Sequence, residues 1–176
     1  MNENLSLVIQ AGGESRRMGQ DKALKPFLGR PLINRVIDRL GHLAGEILIT
    51  SNHPENYTHL PLKVYPDQFP GRGTLGGLYT ALASAALPLV AVVACDLPFA
   101  SAAMLEAMVS LLEAEKVDAV VPCWEGESHS PARSGWEPLH AVYRRKTCLP
   151  VVRVSLEAGE WKVIDWFPRL QVRPFS

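Results

Sequence analysis

A glycine pair running into three cations is the densest chemical signal in the chain. The segment Leu7-Val-Ile-Gln-Ala-Gly-Gly-Glu-Ser-Arg-Arg-Met-Gly-Gln-Asp-Lys22 carries a short apolar run into Gly12 and Gly13, then Arg16, Arg17 and Lys22. Glycines at the end of a strand let backbone come close to a ligand and expose N–H groups, which suits phosphate and base recognition. A turn by itself has no need of three cations, so an anion site is implied. It is neither a Walker loop nor a GxGxxG fingerprint, since both patterns are absent here. Lys22 offers a compact point charge suited to a triphosphate, and Arg17 can hold phosphate oxygens with two parallel hydrogen bonds. Arg16 reads as their solvated neighbour.

A second candidate is Asp96, directly after the apolar run Leu89 to Ala94 and Cys95. Open α/β sheets place their ligands outside the carboxyl ends of such strands, although an Asx turn before Pro98 would use the same residue type. Asp67 stands between Pro66 and Pro70 as a candidate ligand group or a loop cap. Asn52, in Thr50-Ser-Asn-His53, could bond a base or ribose or simply form a turn.

The elements needed to position these residues follow from periodicity. Leu5 to Ile9, Glu46 to Thr50, Leu62 to Tyr65, Leu89 to Ala94, Val117 to Pro122, Leu139 to Tyr143 and Gln171 to Phe175 read as strands. Leu89 to Ala94 is apolar without alternation, as a central strand buried on both faces should be. Helical patterns begin at Pro31, with Leu32, Ile33, Val36, Ile37, Leu40 and Leu43 on one face, and at Ser101, a credible cap for Ala102 to Glu115. Gly71 to Gly77 reads as a glycine-rich loop before an alanine-rich helix ending ahead of Pro88. Glu125 to Glu137 reads as a polar mobile surface loop, and Thr147 to Phe167 as weakly helical. Strands alternating with helices over 176 residues predict one α/β domain, residues 1–176, around a mostly parallel sheet.

Composition narrows the class of function. The 18 Lys+Arg against 18 Asp+Glu cancel, so no general attraction to nucleic acid or an anionic membrane is expected. The longest apolar stretch, Ala81 to Ala94, is broken by Pro88 and falls short of the roughly 20 residues of a transmembrane helix. The N-terminus lacks a basic n-region, which predicts a cytoplasmic protein. Cys95, Cys123 and Cys148 have neither zinc spacing nor an even count, and read as free thiols.

Taken whole, AGGxSxRMGxDK followed by a Pro-Phe-x-Gly-x-Pro-Leu segment resembles the signature of the molybdenum cofactor guanylyltransferases, within the nucleotidyltransferases. The resemblance extends in order through Lys63-Val-Tyr-Pro-Asp67, Gly73-Thr-Leu-Gly-Gly77, Ala94-Cys-Asp-Leu-Pro98, Glu137-Pro-Leu-His-Ala-Val-Tyr-Arg144 and Leu156-Glu-Ala-Gly159. It implies a three-layer α/β/α Rossmann-like nucleotidyltransferase fold and transfer of GMP from GTP to the phosphate of the molybdenum-pterin cofactor, with pyrophosphate released. Mg2+ is the implied cofactor, held on Asp96, and molybdoenzymes or their chaperones are the implied onward partners.

The site carried over by that resemblance comprises Lys22, Arg17 and Asp96 for catalysis. Gln10, Ala11, Gly12, Gly13, Lys22, Asn52, Asp67 and Asp96 would bind the nucleotide, the backbone groups of Gln10, Ala11 and Gly12 reading the guanine edge. No general base is required by a phosphate nucleophile, so His129 and His140 receive no role. One of Trp124, Trp136, Trp161 and Trp166 could stack on a pterin. Gln10 stands where the family has leucine, Gly73-Thr-Leu-Gly-Gly77 where it has GPLAG, and Arg173-Pro-Phe-Ser176 where it continues into an Asn-x-Asn-Thr-Pro-type segment. A CTP-dependent pterin cytidylyltransferase, a sugar-phosphate nucleotidyltransferase and an inactive nucleotide-binding relative remain the alternatives.

Overall fold

The computed structural model describes residues 1–11, 21–125 and 134–176. In chain order its elements are β1 (Asn2–Gln10), the short hairpin β2 (Pro26–Phe27) and β3 (Arg30–Pro31), α1 (Leu32–Leu40), β4 (Ala44–Thr50) and β5 (Lys63–Tyr65). There follow α2 (Gly73–Ser84), β6 (Leu89–Ala94), α3 (Ala102–Glu115), β7 (Ala119–Glu125), β8 (Ser134–Trp136), β9 (His140–Arg144), α4 (Arg145–Glu157) and β10 (Val172–Phe175).

The main sheet runs β10-β7-β9-β6-β1-β4-β5, with β8 paired to β7. The pairs β1–β4, β1–β6, β4–β5 and β7–β10 are parallel, whereas β9 lies antiparallel to both β6 and β7. From β1 the chain moves outward to β4 and β5, then returns to β6 on the other side of β1. The strand order therefore reverses between β1 and β6, which is where ligands of open α/β sheets sit.

Side-chain alternation divides the core between the two faces. Leu5, Leu7 and Ile9 of β1 pack with Ile33, Val36 and Leu40 of α1 and Leu105, Met108 and Leu112 of α3. Val8 faces the opposite way, onto Leu75, Leu78 and Leu82 of α2 and Val152 and Leu156 of α4, with Trp166 fully buried among them. The result is the expected three-layer α/β/α arrangement. Ser101 Oγ accepts from Met104 N at 3.2 Å and starts α3 as its residue type predicts.

Three expectations needed correction. Gly73 to Gly77 lies inside α2 and is not loop, because two of these glycines serve close approach: a Cβ on Gly76 would sit 2.8 Å from Phe69 O, and one on Gly77 1.7 Å from Gln10 Nε2. The stretch Glu125 to Glu137 is not all loop, since Ser134–Trp136 forms β8 against Cys123–Glu125; residues 126–133 of that expectation lie outside the described residues. Within Thr147 to Phe167 the helix α4 ends at Glu157, and only one 3-10 turn, Phe167–Arg169, follows. Cys95, Cys123 and Cys148 are free.

Candidate active site

Sequence positions 74 residues apart meet at the switch point: Lys22 Nζ donates to Asp96 Oδ2 at 3.0 Å. Both side chains remain open to solvent, at 52% and 43% of full exposure, so they are available to a ligand. Asp96 arrives there because β6 is buried along its length and its last residues are tied to both neighbours. Cys95 N donates to Gln10 O at 3.1 Å, and Ala94 N to Leu139 O at 2.8 Å. The Asp96 carboxylate, by hydrogen bond and charge, raises the Lys22 pKa above its ordinary value, so the ammonium is firmly charged.

Lys22 is held by a neighbour that sequence reasoning left without a role. Asp21 caps the 3-10 turn Lys22–Leu24, accepting from Ala23 N at 3.1 Å. Its other oxygen accepts from Tyr57 Oη at 2.5 Å and Asn56 Nδ2 at 3.4 Å. Tyr57 is fully buried, and burial first, then the bond to Asp21, pushes its pKa far up, so it stays a donor. Nothing local in the sequence links Tyr57 to Lys22.

At the end of β1 the backbone is largely committed to the sheet, with Gln10 O taken by Cys95 and Ala11 N donating to Thr50 O at 2.9 Å. What is left over is side-chain polarity. Gln10 is 7% exposed, and both its Oε1 and Thr50 Oγ1, on the register partner in β4, are buried with no hydrogen-bond partner among the described residues. Gly77 leaves the space that the Gln10 amide fills.

Asn52 and Asp67 come together on the β4–β5 side. Asn52 Oδ1 accepts from Asp67 N at 3.1 Å, while Asp67 Oδ1 accepts from Phe69 N at 3.0 Å and Thr80 Oγ1 at 2.9 Å. The Asp67 carboxylate is thus fixed through one oxygen, with Asn52 bracing its backbone. Gly12, Gly13, Arg16, Arg17 and His129 lie outside the described residues.

On the opposite side of Asp96 opens a cavity of about 340 Å3 lined by Thr74, Ala94, Asp96, Leu97, Trp136, Glu137, Pro138, Leu139 and Val163. Of the four tryptophans only Trp136 lines it; Trp166 is buried, and Trp124 and Trp161 are exposed surface residues. His140 is half-buried, its pKa lowered chiefly by that burial, with Nε2 unpartnered, so it is neutral at physiological pH. Thr74 and Glu137 were not singled out from sequence; the available signal was their place inside two of the quoted motifs.

The arrangement suits a Mg2+ ion by its donor chemistry. Among the described residues no three His, Cys, Asp or Glu side chains cluster to form an all-protein metal cage. A half-exposed carboxylate beside a lysine matches an ion that takes one or two protein carboxylates and fills its octahedron with water and phosphate oxygens.

The MobA-like NTP transferase domain pattern matches residues 7–172. A probable molybdenum cofactor guanylyltransferase of Pelotomaculum thermopropionicum is 39% identical, over 96% of this chain and 77% of its own length. One of Carboxydothermus hydrogenoformans is 37% identical over 97% and 81%. Molybdopterin-guanine dinucleotide biosynthesis protein A of Archaeoglobus fulgidus superposes with a TM-score of 0.77 over 97% of this chain and 82% of that one, at 21% identity, a likeness of fold.

Proposed function

The chain belongs to the MobA-like NTP transferase family, and from that membership and the site's geometry we infer that it is a molybdenum cofactor guanylyltransferase. GTP donates GMP to the terminal phosphate of the molybdenum-pterin cofactor. An oxygen of that phosphate attacks the α-phosphorus of GTP, the bond from the α-phosphorus to the bridging β-phosphate oxygen breaks in line, and pyrophosphate leaves. Residues 1–176 act as one nucleotidyltransferase domain. The observation that carries the reading is the meeting of Lys22 and Asp96 at the switch point between β1 and β6.

The nucleophile is already an anion, so the protein's task is positioning and charge neutralisation. Lys22 neutralises the triphosphate, held in place by Asp21 and Tyr57. Arg17 takes a second set of phosphate oxygens. Asp96 would hold Mg2+, which when bound supplies further charge neutralisation at the phosphates. Such groups act best when fixed before reaction, as the capped turn under Lys22 is.

Gln10, Ala11, Gly12, Gly13, Asn52 and Asp67 bind the nucleoside. Gln10 is buried at the end of β1 with its amide against Gly77, which fixes the strand end on which that nucleoside site would stand and suits recognition of a base by its hydrogen-bonding edge. A site of that kind can reject a mismatched base by up to ~10^4. The test is a panel of GTP, CTP, ATP and UTP against the pterin acceptor and common sugar phosphates, with pyrophosphate as readout, in wild type and Gln10→Leu. GTP-dependent release with the pterin is expected; preference for CTP assigns the chain to cytidylyl transfer, and release with a sugar phosphate alone overturns the reading.

A further inference from the structure

The loops that follow Lys22 and Asp96 are both tied to α1. Ile33, Val36 and Leu40 anchor that helix in the core, and Arg35 and Arg39, one turn apart, stand together on another of its faces. Arg35 Nε donates to Phe27 O and Arg35 Nη2 to Leu28 O, each at 2.6 Å, in the hairpin that follows the Lys22 turn. Arg39 Nε donates to Ala100 O at 3.0 Å, in the turn that follows Asp96. The same two loops meet at Phe27 and Phe99, whose rings pack edge to face with centroids 5.5 Å apart at 83°.

The hairpin needs that support. Leu28 has a φ of 50°, in the left-handed region that residues other than glycine rarely adopt, and Gly29 follows at 80°. The carbonyls that Arg35 holds belong to the two peptide units flanking Leu28, so one planar guanidinium fork fixes both, and it lies over the Phe27 ring, 5.6 Å from its centroid. Leu32 N donates to Lys25 O at 3.1 Å and Lys25 N to Lys22 O at 3.2 Å, which joins the hairpin to the turn under Lys22. On the other loop, Ala100 N donates to Leu97 O at 3.0 Å and Leu97 N to Ala94 O at 3.3 Å, which carries the hold on Ala100 back to both sides of Asp96. The contact between Lys22 and Asp96 cannot itself set their separation, because it is exposed, contributes little after solvent screening and has to open when a phosphate takes over the lysine.

We propose that Arg35 and Arg39 are positioning residues for the transfer reaction, holding from α1 the two loops next to Lys22 and Asp96 and so setting the separation of those groups. The proposal rests on the catalytic role inferred for that pair. A helix packed into the core places a group more precisely than a loop places itself, and a displacement of about 1 Å at the reacting groups can cost on the order of 100-fold in rate. Each arginine acts through backbone carbonyls, so its removal loosens a loop without deleting a reacting group.

The test uses the full chain and reads amide hydrogen exchange beside pyrophosphate release. Arg39→Ala should speed exchange at Leu97 and Ala100 about tenfold, and Arg35→Lys, which loses the planar fork, should do the same at Lys25 and Leu32, while the amides of β6 keep their protection. In turnover, Arg39→Ala should lower kcat about tenfold with KM for GTP within about threefold of wild type, since it acts through Asp96 on the reacting geometry. Arg35→Lys should lower kcat/KM for GTP about tenfold with guanosine binding unchanged, since it acts through Lys22 on the phosphates. Arg39→Lys keeps a donor near Ala100 O and should recover most of its loss, and Arg153→Ala, which removes an exposed pair with Glu157 on α4, should change none of these readings. The deciding comparison is a pair of double variants: Arg39→Ala should cost nothing further in Asp96→Asn, nor Arg35→Lys in Lys22→Ala, because residues that act as a unit are not additive. Unchanged exchange in the two loops, turnover within about twofold of wild type, or the same fractional loss in both backgrounds overturns the proposal. Wild-type turnover in Asp96→Asn and Lys22→Ala by themselves overturns the catalytic reading and the proposal with it, whereas large losses there beside additive arginine losses overturn the proposal alone.

Discussion

Replacing Asp96 by asparagine separates the work this carboxylate does for the fold from the work proposed for it in catalysis. The side chain is exposed, and its described hydrogen bond is to an equally exposed Lys22 at 3.0 Å. Exposed ion pairs contribute about 0–1 kcal/mol after solvent screening. For a chain of this length, a loss of about 1 kcal/mol lowers Tm by roughly 2–4 °C. Because Asp96 raises the Lys22 pKa, the lysine's share of what the pair contributes is fully present at neutral pH, below the ordinary lysine value of 10.5, and is lost as pH rises through the folded value. The Tm difference between wild type and Asp96→Asn should therefore be small and flat across neutral pH. The proposed catalytic role asks more of the same group, since a charge fixed at the reacting phosphates is worth about 3 kcal/mol, or some 100-fold in rate. The assay is pyrophosphate release at saturating Mg2+, beside thermal denaturation of the same preparation. Activity within about threefold of wild type, under ~0.7 kcal/mol of barrier, would refute the role assigned to Asp96. A Tm loss well beyond about 4 °C would show it to be a structural residue instead.

Lys22→Ala should weaken GTP while leaving guanosine binding nearly intact by calorimetry; equal losses for both would place Lys22 at the base or in the fold. Tyr57→Phe keeps the buried ring but removes the donor to Asp21, and should cost about 1.5–3 kcal/mol in urea unfolding, with kcat falling because the Lys22 turn loosens. Gly77→Ala places a Cβ 1.7 Å from Gln10 Nε2 and should cost about 1–3 kcal/mol as overpacking, largely restored in the double variant with Gln10→Ala; no restoration would mean the clash lies elsewhere. The Cys95 and Cys148 thiols, each pushed by burial to about 12, should resist alkylation in the folded protein near pH 8 while half-buried Cys123 reacts first, as peptide mapping after iodoacetamide would show.

The parts of this fold that could be read from sequence are those governed by local physics. The unbroken apolar run Leu89–Ala94 leaves no alternative to a central strand, and Ser101 ahead of an apolar stripe places α3 to the residue. Lys22 and Asp96 could each be singled out by residue type and place in the sequence, but that they meet, 74 positions apart, is recorded by no local pattern. Other features depend on contacts that no local pattern records. Glycine signals a turn and a close approach alike, so Gly73 to Gly77 could not be assigned to α2 without knowing that Phe69 and Gln10 press against it. Asp21 owes its role to Tyr57, 36 positions away, and nothing near either residue announces the pair.

The orientation of β9 was equally hidden, and the cavity beside Asp96 depends on it. Alternation in Leu139 to Tyr143 identifies a strand but gives it no direction. Were β9 parallel to β6, its first residues would sit at the opposite rim of the sheet, and Glu137 to Leu139 would be a full strand length from Asp96. Antiparallel insertion between β6 and β7 instead sets His140 opposite Val93 and Leu139 beside Ala94, bringing Trp136 and Glu137 to the wall that Asp96 closes. The two sides of the site thus rest on different supports. Gln10, Asn52 and Asp67 stand on parallel strands and their loops, whereas the cavity wall hangs from one reversed strand and its backbone clamps. Substitutions in residues 136–139 can therefore reshape the cavity wall without moving the ends of β1, β4 and β5, on which the residues proposed to bind the nucleotide stand.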